Sequence, residues 1–384
     1  MPVSDAWQQR LASARQQRVD QQRWRHRRVT TLGTLDFAGN DYLGLARDPR
    51  VQTAQAEGAR RFGAGAGASH LVSGHLSVHD ALEDALAQWT GRQRALLFST
   101  GYMANLGVLQ ALADSNTAIF QDRLNHASLL DGATLSGARS RRFHHRDSAD
   151  LERLLARSSA PYKLVVSDGV FSMDGDVADI ATLAHASQQH NAWLMIDDAH
   201  GLGVLGADGS GCVAGFDSQA VPILVGTLGK ALGTAGAFVA GDAALIDHLT
   251  QFARSYIYTT AQPPSIAAAT LEALTIVQRE PEHRQLLQRH IDYFRQQAQA
   301  LGLPLADSHT PIQPLLLGNE PRTMAWAAKL AQRGIHVGAI RPPTVPNGAA
   351  RLRITLSARH SLSDIDRLME GLSACQREEA VCLA

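Results

Sequence analysis

Four short apolar runs recur through the first two-thirds of the chain, and each closes on polar or small residues. Ala95-Leu96-Leu97-Phe98 ends at Ser99-Thr100-Gly101, and Lys163-Leu164-Val165-Val166 ends at Ser167-Asp168. Trp193-Leu194-Met195-Ile196 ends at Asp197-Asp198, and Ile223-Leu224-Val225 ends at Gly226-Thr227. Helical-looking segments separate them. This alternation predicts an α/β domain with a mostly parallel central sheet. Ligands in such sheets bind outside the carboxyl ends of the strands, so these polar closings mark where a site would be built. The texture changes near residue 275. Pro263-Pro264 open a helical stretch through Ile266, Leu271 and Ile276, and a polar helical stretch follows past Arg295. Next come Pro311-Ile312-Gln313-Pro314-Leu315-Leu316, a helix near 325–332, strands near 335–337 and 352–356, and a last helix from Ser363. We place the large domain at residues 39–275. The N-terminal helix and strand, 1–38, join 276–384 in a smaller α+β domain.

Composition narrows the class. Of the 384 residues 45% are hydrophobic and 19% charged, which suits a large folded core and excludes a mainly disordered chain. Lys plus Arg and Asp plus Glu both number 36, so no general basic surface for nucleic acid is expected. Cys212, Cys375 and Cys382 are scattered and match no zinc or disulfide pattern. Residues 223–240 come nearest to an 18-residue apolar run, but Lys230 and four glycines interrupt them. Residues 1–28 are polar, with no apolar core of signal-peptide type. A reducing, cytoplasmic location is the expectation. The same 28 residues hold seven arginines against Asp5 and Asp20. Most read as a solvated helix face, with one or two free to bind a substrate carboxylate.

Several motifs fail on context. Gly201-Leu202-Gly203-Val204-Leu205-Gly206 fits the dinucleotide spacing, but Asp-Asp-Ala-His separates it from the strand and Gly226 stands where the acid should be. Gly229-Lys230 lacks the Ser/Thr and the first glycine of a P-loop, with Ala231 and Leu224 in their places. His70, His75 and His79 are spaced so that one helix face would not hold all three, which favours a structural or wall role over a metal. Ser77 and Asp80 read as the start of a helix capped by Ser77. His144 and His145 would diverge, so we assign them no function.

A stronger constellation lies at the strand ends. Asp197 is followed by Asp198-Ala199-His200, and Lys230 lies thirty residues beyond His200 in Gly226-Thr227-Leu228-Gly229-Lys230. An acid, a histidine and a lysine on neighbouring strand ends suit pyridoxal 5'-phosphate. The lysine carries the cofactor, and the acid keeps its pyridine nitrogen protonated. Thr100-Gly101-Tyr102 opens a helix after a strand and offers backbone N–H groups to the phosphate, with Thr227 as a second contact.

At these residues the chain resembles the α-oxoamine synthases, a branch of the fold-type I pyridoxal phosphate transferases. The resemblance spans almost the whole chain. It runs through Asn40-Asp41-Tyr42-Leu43-Gly44-Leu45, Leu71-Val72-Ser73-Gly74 and Asp122-Arg123-Leu124-Asn125-His126-Ala127-Ser128. It continues through Gly169-Val170-Phe171-Ser172-Met173-Asp174-Gly175, Asp197-Asp198-Ala199-His200-Gly201 and Thr227-Leu228-Gly229-Lys230. Ile340-Arg341-Pro342-Pro343-Thr344-Val345-Pro346 and Ala350-Arg351-Leu352-Arg353 are its most specific segments. Gly39 departs from it, where several relatives have Ser. The resemblance implies a catalytic Lys230, with Asp197 at the ring nitrogen, His126 on the ring face and His200 at the ring hydroxyl. It assigns Ser172, Thr227, Gly101 and Tyr102 to the cofactor, and Thr259 or Thr260 to the phosphate of a neighbouring subunit in a homodimer. Arg353 would bind the amino-acid carboxylate, with Asn40 nearby and Thr344 lining the acyl site. Arg23, or alternatively Arg25, would hold the distal carboxylate of a pimeloyl chain. The implied reaction is the decarboxylative condensation of L-alanine with a pimeloyl thioester, of coenzyme A or of acyl carrier protein. A sister synthase using glycine and another acyl-CoA, or a catalytically silent subunit of the same fold, is the competing expectation.

Overall fold

The structure is a computed structural model describing residues 3–21, 23–25, 27, 29–31 and 33–383, with side chains for those between 5 and 379. Arg28 and the Cys382 side chain lie outside the described residues. The chain forms two compact units, Met1–Leu35 and Asp36–Ala384. The first holds the helix Val3–Asp20, where Arg10 lies over the Trp7 ring and Arg15 over that of Trp24.

The strands are β1 (Leu35–Phe37), β2 (Arg94–Phe98), β3 (Thr117–Asp122), β4 (Arg139–Phe143), β5 (Tyr162–Asp168) and β6 (Trp193–Asp197). They continue with β7 (Ile223–Thr227), β8 (Ala237–Gly241), β9 (Ile312–Gly318), β10 (Ile335–Ile340) and β11 (Ala350–Thr355). Seven of them form one sheet in the order β2-β8-β7-β6-β5-β3-β4. β3 to β7 are mutually parallel, and only β8 runs antiparallel to its neighbours. This is the mostly parallel sheet of a fold-type I transferase. Its middle strands are apolar on both faces because helices cover both. Ala104, Val108, Leu129, Val166, Met195 and Val225 pack on one side. Leu151, Leu155, Leu183, Leu194, Ile196 and Leu224 pack on the other. The parallel strands end on one edge, where Asp168 pairs in register with Asp197.

The later chain builds the smaller α+β part. Its sheet has the order β1-β10-β11-β9, with antiparallel pairing of β10 with β11 and of β11 with β9. The helix Glu320–Gln332 packs on it, and the helix Leu362–Leu383 packs on that helix. Arg351 and Arg353 are two apart on β11 and so share a face. Both reach the loop after β5: Arg351 pairs with Asp174, and Arg353 Nε donates to the Ser172 carbonyl at 2.6 Å. No helix among the described residues is long and apolar enough to cross a membrane.

Two local expectations need correction. The helix Ser77–Trp89 is preceded by Leu76 at the cap, so Ser77 is its first residue rather than its cap. His79 supplies the missing acceptor: its Nδ1 takes the Leu76 N–H at 3.0 Å, and its Nε2 bonds the Gln262 carbonyl at 2.8 Å. The three histidines also converge, with ring centroids 5.0–5.5 Å apart. His70 lies in a separate π-helical turn, His70–Gly74, so one-face spacing on a single helix does not govern the trio. His79 has both nitrogens occupied, consistent with a structural role. His144 and His145 do diverge, the first to Asp150 and the second to Asp122 and Asp176.

Candidate active site

Two hydrogen-bonded chains meet at the carboxyl edge of the large sheet. The first starts at Lys230, in the turn after β7. Lys230 Nζ lies 3.0 Å from His200 Nε2, and His200 Nδ1 lies 2.7 Å from the Tyr42 hydroxyl. Tyr42 donates to Asn40 Oδ1 at 3.1 Å, and Arg353 Nη2 donates to the same oxygen at 3.1 Å. With the tyrosine proton on Asn40, His200 carries its proton on Nδ1 and accepts from the lysine through Nε2. Burial holds the His200 pKa well below the usual imidazole value, reinforced by the Lys230 and Arg353 charges. Burial also lowers the Lys230 pKa to about 8, against the opposing pull of Asp197 and Asp168.

The second chain starts at Asp197. Its Oδ2 accepts from Asn105 Nδ2 at 2.6 Å, and its Oδ1 accepts from the Ala199 N–H at 3.0 Å. The other Asn105 amide proton goes to Ser128 Oγ at 2.8 Å, which leaves the Ser128 hydroxyl to donate to His126 Nδ1 at 2.7 Å. His126 is thus the neutral tautomer with its proton on Nε2. Although exposed at the site's mouth, it is desolvated enough by its surroundings to titrate below the usual value. Its backbone N–H donates to Asp168 Oδ2 at 2.7 Å. Asp168 is fully buried, and burial beside Asp197 raises its pKa well above the carboxylate range.

Asn105, Ser128, Tyr42 and Asp168 were not singled out in the sequence as site residues. Asn105 is one helical turn beyond Gly101, on the helix Gly101–Leu112 whose N-terminus faces the site. That spacing was the available signal. Asp198 is a further buried acid, its Oδ2 accepting from the Cys212 N–H at 2.8 Å and its pKa raised to about 7 by burial.

Thr100 caps that helix by accepting from the Met103 N–H at 3.2 Å. A Cβ added to Gly101 would meet only Thr227 Cβ, 4.0 Å away. The helix N-terminus and the Thr227 side chain therefore flank open space, a suitable cradle for a phosphate. Tyr102 directs its hydroxyl to Asp131. Thr259 and Thr260 lie on the turn after the helix Arg254–Ile257, Thr259 half-buried and Thr260 exposed. Thr344 is exposed on the turn between β10 and β11. None of these four makes a described hydrogen bond to the Lys230 or Asp197 chains. Arg23 and Arg25 belong to the unit Met1–Leu35, the former half-buried and the latter exposed.

The donor set tests well against pyridoxal phosphate. Asp197 offers a carboxylate fixed by two N–H donors, Lys230 a desolvated amine, and Gly101 with Thr227 an anion cradle. Asn105 Oδ1 is a buried acceptor with no partner in the same wall. The sequence profile described as aminotransferase class I and II matches residues 33–372. The chain belongs to this family of pyridoxal phosphate enzymes. It is 66% identical over 382 residues, 98% of this chain and 99% of the relative, to the 8-amino-7-oxononanoate synthase of Chromohalobacter salexigens. A crystal structure of 8-amino-7-oxononanoate synthase from Francisella tularensis is 31% identical with a TM-score of 0.78, covering 91% of this chain and 99% of that one. A lysine-to-alanine variant of serine palmitoyltransferase from S. paucimobilis with a bound PLP–myriocin aldimine is 29% identical with a TM-score of 0.89, covering 97% and 98%. Within the wider family, the chain belongs with the 8-amino-7-oxononanoate synthases, and pyridoxal phosphate is its cofactor.

Proposed function

We propose that the chain condenses L-alanine with a pimeloyl thioester, releasing CO2 and a free thiol and giving 8-amino-7-oxononanoate for biotin synthesis. The observation that carries this reading is the Lys230 amine, desolvated and held by neutral His200 within the field of Asp197. Pyridoxal phosphate, when bound, supplies an electron sink for negative charge at the amino acid's α-carbon. Asp197 pairs with the ring nitrogen, and Asn105 and the Ala199 N–H keep its carboxylate in place. Lys230 would hold the cofactor, and its freed amine would take alanine's α-proton, a task suited to a base titrating near the working pH. Arg353, braced on Ser172 and Asn40, binds the alanine carboxylate. His126, protonated on Nε2, would face the ring and offer that proton to the thioester carbonyl as the new carbon–carbon bond forms. The product's missing proton returns from Lys230 after CO2 departs. Thr227 and the Gly101 and Tyr102 N–H groups hold the phosphate, His200 the ring hydroxyl, and Thr344 borders the acyl chain. Arg23, with Arg25 as the alternative, takes its distal carboxylate.

We assign the large lobe to 39–275 and the enzyme to the cytoplasm as a homodimer. Thr259 or Thr260 of one chain would complete the phosphate site of the other. Exposed Leu71, Val72, Phe252 and Tyr258 around that turn support a covered surface there. Turnover of L-alanine with pimeloyl-CoA, followed by thiol release, tests the reaction. Lys230→Ala should reduce it to background; near-native turnover of that variant would refute the assignment.

A further inference from the structure

Three strands from Asp197 the large sheet ends at β4, and this edge is basic. Residues 123–146 contain five arginines and one aspartate, in a chain with equal numbers of basic and acidic residues. Arg123, Arg139, Arg141 and Arg142 are exposed, and none has an ion-pair partner among the described residues. Arg146 is engaged by Asp176. β4 lies parallel to β3, with Arg139 opposite Ala118 and Arg141 opposite Phe120, and among the described residues has no strand on its other side. Phe143 faces the core beneath the helix Ser148–Ala156, so strand alternation puts Arg139 and Arg141 on that face. Arg142, on the opposite face, donates to the Arg123 carbonyl at the start of the turn leading to His126. Unpaired positive charge thus covers both faces of the edge and extends to the mouth of the site.

Charged side chains commonly guard an edge strand against pairing, but charges of either sign can do that. Four arginines without a neutralising acid also create a field that attracts an acidic partner. We propose that the β4 edge is the docking surface for an acidic acyl carrier protein that presents the pimeloyl chain on its phosphopantetheine arm. This deepens the proposed function and rests on it. The strand order β6-β5-β3-β4 puts β4 about 14 Å from β6 at the usual strand spacing, within reach of an extended phosphopantetheine. These strands are parallel, so the Arg141–Arg142 end lies on the same edge as Asp197. A coenzyme A headgroup concentrates its phosphates in one small nucleotide, whereas arginines spread over both faces of a strand suit a protein surface.

The test compares two donors at saturating L-alanine: pimeloyl acyl carrier protein and pimeloyl-CoA. The triple variant Arg139→Glu, Arg141→Glu, Arg142→Glu should raise KM for the carrier donor by about tenfold or more, with kcat/KM for pimeloyl-CoA within about twofold of the parent. Added salt should weaken the parent's use of the carrier donor more than its use of the CoA donor. An unchanged carrier KM would overturn the proposal, as would an equal loss on both donors. A parent that turns over pimeloyl-CoA but not the carrier donor would overturn docking alone. A parent inactive on both would sink the functional reading and docking with it. The Arg→Gln triple should show the same ordering more weakly, and serves if charge reversal prevents folding.

Discussion

Lys230, the proposed cofactor lysine, is tuned by its surroundings. Burial brings its pKa down to about 8, and His200 stays neutral because burial and the nearby cations penalise a second charge. Only the neutral amine can capture the cofactor. The sign follows directly: below about 8 the amine is mostly protonated, and above it mostly free. Cofactor uptake by the apoprotein, measured by stopped-flow absorbance, should accelerate as pH rises toward about 8 and level off above it. A rate independent of pH between 6.5 and 9, a window spanning roughly that pKa, would contradict the desolvated-lysine account. At this scale the sequence singled out four groups that the structure brings together and missed the side chains that support them. Lys230, Asp197, His200 and His126 stand beside glycines or strand ends. Asn105 is one polar residue in an apolar helix, and its role appears only when Asp197, 92 positions away, is packed against it.

Elements deliver these groups to one place. The apolar runs ending in Ser, Asp or Thr were readable as strands because a covered parallel sheet requires apolar residues on both faces. β4 was not: Arg139-Ser140-Arg141-Arg142 has no apolar pattern, since on this edge strand only Phe143 is buried. The loop after β5 depends on Gly175, which has φ +70°. A Cβ there would collide with the Ile312 carbonyl and lie 2.5 Å from Ser308 Oγ. Gly175→Ala should cost about 2–5 kcal/mol, from left-handed backbone strain plus overpacking. Because this loop presents Ser172 to Arg353, KM for alanine should rise as well. Thermal unfolding and a steady-state alanine titration check both; an unchanged Tm would contradict the packing described for this loop.

At the scale of the molecule, the mostly parallel large sheet and smaller α+β portion were legible from the change in texture near residue 275. The resemblance put Asn40 near Arg353, and the two are hydrogen-bonded; the Ser172 carbonyl that braces the same arginine was not legible, because that contact depends on how β11 faces the loop after β5. Among the described residues Thr259 and Thr260 make no hydrogen bond to the Lys230 or Asp197 chains; in the proposed homodimer this turn would serve the neighbouring site. Mixing a Lys230→Ala chain with a Thr259→Ala/Thr260→Ala chain, after dissociation and reassociation, should restore activity to about one quarter of the parent, because half the dimers regain one intact site. Activity no greater than the average of the two separate variants would mean that each chain builds its site alone.

The most direct test of the central claim is the visible absorbance of the purified protein titrated with L-alanine, with glycine as the control. A cofactor band that responds to alanine in preference to glycine, and that before alanine is added lacks its lysine-linked component in Lys230→Ala, is the predicted result. An equal or stronger response to glycine would contradict the assigned amino acid, and no band after addition of pyridoxal phosphate would contradict the site itself.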